Sequence, residues 1–134
     1  MKLLFIDDCP QEKAIPFVNH LNHMHFDFSY EIAENVNDAL IYIFTHLAEI
    51  DLIITDLGLP RYKDGSDYNS LNGLDILDEL IRKDVSIPVI INSKTKIPTL
   101  KEYVDSYSKK NRLFLHVESL TVPCLENYIQ KYIN

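Results

Sequence analysis

Short, nearly continuous apolar runs alternate along this chain with segments whose apolar residues recur at helical spacing. Lys2–Ile6, Leu52–Thr55, Val89–Ile91 and Leu113–Leu115 are runs of the first kind, the pattern of strands buried on both faces of a parallel sheet. Phe28–Ala33 mixes polar and apolar positions and suits a sheet edge. Between the runs, Val36, Leu40, Ile43 and Leu47 share one helical face, as do Leu74, Leu77 and Ile81. Ile97, Leu100, Val104 and Tyr107 form a further stripe, and Val122, Leu125, Ile129 and Tyr132 the last. Pro10–His25 carries Ile15, Val18 and Leu21 in the same manner, with Pro16 in a first turn or at a kink. Five strands and five helices in alternation predict an α/β fold, a doubly wound five-stranded parallel sheet with right-handed crossovers.

Length and composition narrow the function. The 134 residues suit a single domain spanning 1–134, and no repeat, low-complexity tract or linker divides them. Hydrophobic residues make up 46% and charged residues 25%, ordinary globular values. Thirteen Lys and Arg stand against twenty Asp and Glu, a net charge of −7. That balance repels a phosphate backbone, so nucleic acid is not an expected partner. The longest apolar runs, such as Leu52-Ile53-Ile54, are too short to cross a bilayer, and the start meets Asp7 and Asp8 too early for a signal peptide. Cys9 and Cys124 make no disulfide framework, and the chain reads as cytosolic.

Open α/β sheets bind ligands beyond the carboxyl ends of their strands. Those ends hold Asp7-Asp8 after the first strand, Asp56 after the third, Asn92-Ser93 after the fourth and His116 after the fifth. A single aspartate there is an ordinary turn starter or helix cap. Three on one sheet edge repel one another unless a cation joins them. A hard divalent ion, Mg²⁺ in particular, suits such a set together with water and a phosphate oxygen.

The segments Phe5-Ile6-Asp7-Asp8, Asp51–Pro60, Asn72-Gly73-Leu74 and Pro88–Ser93 together resemble the receiver domain of two-component response regulators. The likeness covers nearly the whole chain in order. It implies a flavodoxin-like (βα)5 fold with strand order 2-1-3-4-5, and a stand-alone receiver with no output domain. By the same resemblance Asp56 is the phosphoacceptor, while Asp7, Asp8, Asp56 and the carbonyl of Gly58 hold Mg²⁺. Ser93 takes the role of the switch hydroxyl. The donor is a histidine kinase or phosphotransfer protein, and a downstream protein docks on the face built from Ile97–Lys109, the fifth strand and Val122–Tyr132. The result is a cytoplasmic signalling protein rather than an enzyme. The alternatives are a binding module of the same fold that is never phosphorylated, and a small hydrolase using Asp56 as nucleophile.

Three features depart from that pattern. The lysine usual near the end of strand five is absent: His116 or Val117 falls there, and His116 and Lys94 are the candidate substitutes. The aromatic position three residues before it falls on Leu113. A long polar segment, Arg61–Leu71, separates Pro60 from Asn72-Gly73; it reads as a cover over the acceptor, a filter on donors, a partner contact or a structureless insertion. His20, His23 and His25 lack the further ligands of a zinc site. Cys9 sits among acidic neighbours that disfavour its thiolate. Gly58, Gly65 and Gly73 are assigned to turns.

Overall fold

The structure, a computed structural model, describes residues 1–22, 27–94, 102, 105 and 114–133. Its elements are β1 (Lys2–Ile6), α1 (Ala14–Leu21), β2 (Ser29–Ala33), α2 (Val36–Thr45), β3 (Leu52–Thr55), α3 (Gly73–Arg82), β4 (Val89–Asn92), β5 (Phe114–Val117) and α4 (Val122–Tyr132). The strands form one parallel sheet in the order β2-β1-β3-β4-β5. This is an α/β fold of the flavodoxin-like kind. Most of the expected helix over Ile97–Lys109, with Leu113 and His23 and His25, lies outside the described residues.

The apolar runs hide a strict alternation, because both sides of the sheet are covered. Leu4, Ile6, Ile53, Val89 and Ile91 pack under α2 and α3. Leu3, Phe5, Leu52, Ile54 and Ile90 pack under α1 and α4. Successive strand side chains point to opposite faces, so one unbroken hydrophobic run serves two cores. β2 is the edge, and its first three residues are exposed.

Local chemistry sets the helix ends. The Asn35 side chain accepts from the Asp38 N–H at 2.8 Å and starts α2, and Thr121 does the same for α4 through Cys124. α2 stops at Thr45, which leaves the expected stripe residue Leu47 outside the helix and exposed. α1 begins at Ala14, four residues later than the sequence pattern suggests, and Pro16 falls in its first turn. Its start is set from the sheet: Asp7 at the end of β1 accepts the Ala14 N–H at 3.1 Å.

No helix among the described residues is long and apolar enough to cross a membrane.

Candidate functional site

The parallel register brings the candidate residues together. Ile6 pairs with Thr55 and Thr55 with Ile91. The next residues, Asp7, Asp56 and Asn92, therefore leave three adjoining strands side by side. One ligand atom each from Asp7, Asp8 and Asp56 lies within 4.8 Å of the others. They line an open cavity of about 750 Å³ together with Lys13, Gly58, Tyr68, Ser93 and Lys94. The expected carboxylate set, Gly58 and Ser93 thus share one crevice.

Each carboxylate is held differently. Asp7 is buried, and its two oxygens accept the N–H groups of Cys9 at 3.0 Å and Ala14 at 3.1 Å. It pins the 9–13 turn to the end of β1. Asp56 accepts the Leu57 N–H on Oδ1 at 2.8 Å, while its Oδ2 pairs with Lys13 Nζ at 2.8 Å. Asp8 is half-buried, and burial, followed by the charge of Asp7, pushes its carboxyl above the usual range. A divalent cation would offset the charge that burial and the neighbouring Asp7 make unfavourable on Asp8, and the all-oxygen donor set suits a hard ion. Cys9 is exposed, and the charge of Asp8 raises its thiol, keeping it protonated as its neighbours suggested.

Ser93 is buried at the end of β4, its N–H bonded to the Val117 carbonyl at 2.9 Å. Lys94 is an exposed residue on the cavity wall. His116 pairs with Ile91 in the sheet, but its side chain lies outside the described residues. Val117 is half-buried against the α1/α4 core and offers no charge. Sequence reasoning missed Lys13. Among the described residues it is the cation that pairs with this cluster, and its hydrogen bond with Asp56 raises its own pKa.

The segment after Pro60 is built rather than structureless. Arg61 pairs with Asp67 at 3.0 Å and with Asp75, and reaches the Asn72 side chain. Asn72 Nδ2 donates to the carbonyls of Leu59 and Asp67, each at 2.8 Å, and Leu59 and Asn69 form an antiparallel bridge. This network delivers Tyr68 to the cavity rim, its hydroxyl against Gly58 where any Cβ would stand. Arg61→Ala is expected to free residues 61–72 while leaving the sheet intact, read as faster limited proteolysis within that segment at an unchanged melting temperature.

Of the three glycines only Gly65 has a positive φ, +85°. Gly58 and Gly73 are there for room: Gly58 for Tyr68, Gly73 for the backbone of Asp56 and Leu57. The assignment to a turn holds for Gly65, whose N–H bonds the Tyr62 carbonyl, and is corrected for Gly58 and Gly73.

The order of its parallel sheet places the chain in a class of fold shared by solved response regulators and receiver domains. The chain is similar to a LuxR-family DNA-binding response regulator from Staphylococcus aureus, at 21% identity and a TM-score of 0.68, covering 99% of this chain and 98% of that one. It is similar to a response regulator receiver domain from Clostridium thermocellum at 23% identity and a TM-score of 0.67, covering 99% and 94%. It is also similar to the Mn²⁺-bound form of the response regulator Rcp1 at 17% identity and a TM-score of 0.63, covering 97% and 89%. No protein-family model and no curated protein matches the sequence. The chain therefore has the receiver fold.

Proposed function

We propose that this protein is a response regulator receiver, a (βα)5 domain that accepts a phosphoryl group on Asp56 and thereby changes its binding to another protein. The observation that carries this reading is the meeting of Asp7, Asp8 and Asp56 within 4.8 Å on the floor of an open crevice. In this reading Asp56 is the acceptor, Ser93 is the hydroxyl that bonds the phosphoryl group, and Asp7, Asp8, Asp56 and the Gly58 carbonyl would hold Mg²⁺. Bound there, Mg²⁺ would offset the carboxylate charge and orient phosphoryl oxygens.

The chain's own residues supply the rest. Leu57 N–H fixes Oδ1 of Asp56, so the carboxylate presents Oδ2 to the cavity. An Asp56 oxygen attacks the phosphorus of a phosphohistidine, the O–P bond forms and the N–P bond breaks. Its electron pair returns to the imidazole nitrogen, which takes a proton from solvent. Such transfer needs chiefly positioning and charge stabilisation. The product places negative charge and new acceptor oxygens in the cavity that Ser93 lines. A conformation that contacts them better gains population, and moving it from 1:99 to 99:1 takes about 5.5 kcal/mol of difference.

The donor is a histidine kinase or phosphotransfer protein, the setting cytoplasmic, and the output a protein contact on the face of β5 and α4. The domain acts as a switch, not as an enzyme turning over substrate.

Intact mass after incubation with Mg²⁺ and acetyl phosphate, or with a histidine-phosphorylated donor, tests this. Wild type is expected to gain one phosphoryl adduct that disappears on chelation, and Asp56→Asn to gain none. Absence of an adduct with both donors would leave a binding module of receiver fold.

A further inference from the structure

The lysine at the mouth of the cavity carries an inference that rests on the reading of Asp56 as acceptor. Lys13 precedes α1, and its Nζ lies 2.8 Å from Asp56 Oδ2, across 43 residues of sequence. Its place is not that of a free loop residue. Asp7 grips the N–H groups of Cys9 and Ala14, on either side of the turn, and the Lys13 N–H bonds the Cys9 carbonyl at 3.2 Å. The backbone is thus anchored to the end of β1, and only the side chain reaches outward. That side chain is 59% exposed and its partner 15%. The ammonium thus pairs with Asp56 from the more exposed side of the contact.

The two oxygens of Asp56 are not equivalent. Oδ1 is held by the neighbouring Leu57 N–H, whereas Oδ2 is held by a charge from another element. We propose that Lys13 is the phosphoryl-binding cation of this site, pairing with Asp56 before transfer and with the phosphoryl oxygens after it. Formation of the acyl phosphate removes the carboxylate charge from Asp56 and sets a dianionic phosphoryl group beyond it. A compact ammonium with three donors on a flexible stem can follow that charge without losing its anchor. Because it binds the transferring group more strongly than the carboxylate it leaves, its effect falls on the rate. The balance of the step is unchanged: Lys13 gives up no proton and forms no covalent bond.

The test compares wild type, Lys13→Met and Lys13→Arg by the rate of adduct formation from acetyl phosphate at saturating Mg²⁺, and by Mn²⁺ affinity from calorimetry. Loss of a charged donor at a transferring oxyanion costs about a hundredfold, and Lys13→Met is expected to lose rate on that scale. Its Mn²⁺ affinity should hold or tighten, since a competing cation has gone. Lys13→Arg should fall between the two in rate, because the charge is retained in a different shape. An unchanged or faster rate in Lys13→Met, with tighter Mn²⁺ binding, would show a mere counter-ion that the metal displaces and would overturn the proposal. A wild type that takes up no phosphoryl group from any donor would overturn the reading of Asp56, and this proposal with it.

Discussion

Gly73→Ala is expected to destabilise the fold by about 2–3 kcal/mol, the upper part of the range for overpacking a filled interior. Helix propensity alone argues the other way. Gly73 opens α3 with an ordinary negative φ, and alanine is favoured over glycine in a helix by about 1 kcal/mol. Space decides the sign. A Cβ on Gly73 would meet Leu57 Cα at 2.8 Å and the Leu57 carbonyl oxygen at 3.2 Å, and it would overlap the Asp56 carbonyl as well. All three are backbone atoms and none can rotate away. The Gly73 N–H also bonds the Leu57 carbonyl at 2.8 Å, so α3 cannot back off without breaking that link. The strain lands on the peptide that carries Asp56, the proposed acceptor. Thermal unfolding should show a fall of roughly 10 °C for a chain of this length, accompanied by slower phosphoryl uptake. A melting temperature at or above wild type would mean that the turn between β3 and α3 has room it does not show.

Much of this architecture was open to inspection in the sequence, for a physical reason. Parallel strands buried on both faces must be nearly all apolar, and they end where the first charges appear. Asp7, Asp8 and Asp56 therefore mark the ends of β1 and β3, and the sheet order makes those strands neighbours. The elements found less well are those set by single tertiary contacts. α1 starts at Ala14 because a strand-end carboxylate caps it, a fact no periodicity carries. The Arg61–Leu71 segment has no alternation to read, yet Arg61, Asn72 and the Leu59–Asn69 bridge tie it down.

Lys13 had one faint signal. A lysine at the start of a helix opposes the helix dipole, so its presence there, five residues after an acidic pair, asks for a carboxylate partner. The signal lies in a charge out of place rather than in a motif. Gly58 and Gly73 taught the converse: glycine reads as a turn, but here the missing side chain makes room for a neighbour.

Asp8→Asn is expected to reverse its effect on stability according to whether magnesium is present. Burial and the charge of Asp7 raise the Asp8 carboxyl. The folded state thus prefers the neutral form, and its benefit is present below the unfolded carboxylate value and lost as pH rises through the higher folded one. At neutral pH the ionised side chain costs stability, and asparagine removes that cost. In a chelator at pH 7 the variant should melt above wild type, and the gap should close as the pH falls below the ordinary carboxylate range. Added Mg²⁺ acts oppositely. Wild type should gain about 2.7 kcal/mol at a hundredfold excess over its dissociation constant, whereas the variant, having lost a charged ligand from a set of three, gains much less. The two melting temperatures should therefore cross as magnesium is titrated in. A repulsive cluster without a metal role would give the first effect and not the second. If Asp8→Asn responds to Mg²⁺ as wild type does, Asp8 is no ligand, and the carboxylates of Asp7 and Asp56 would have to hold the ion between them.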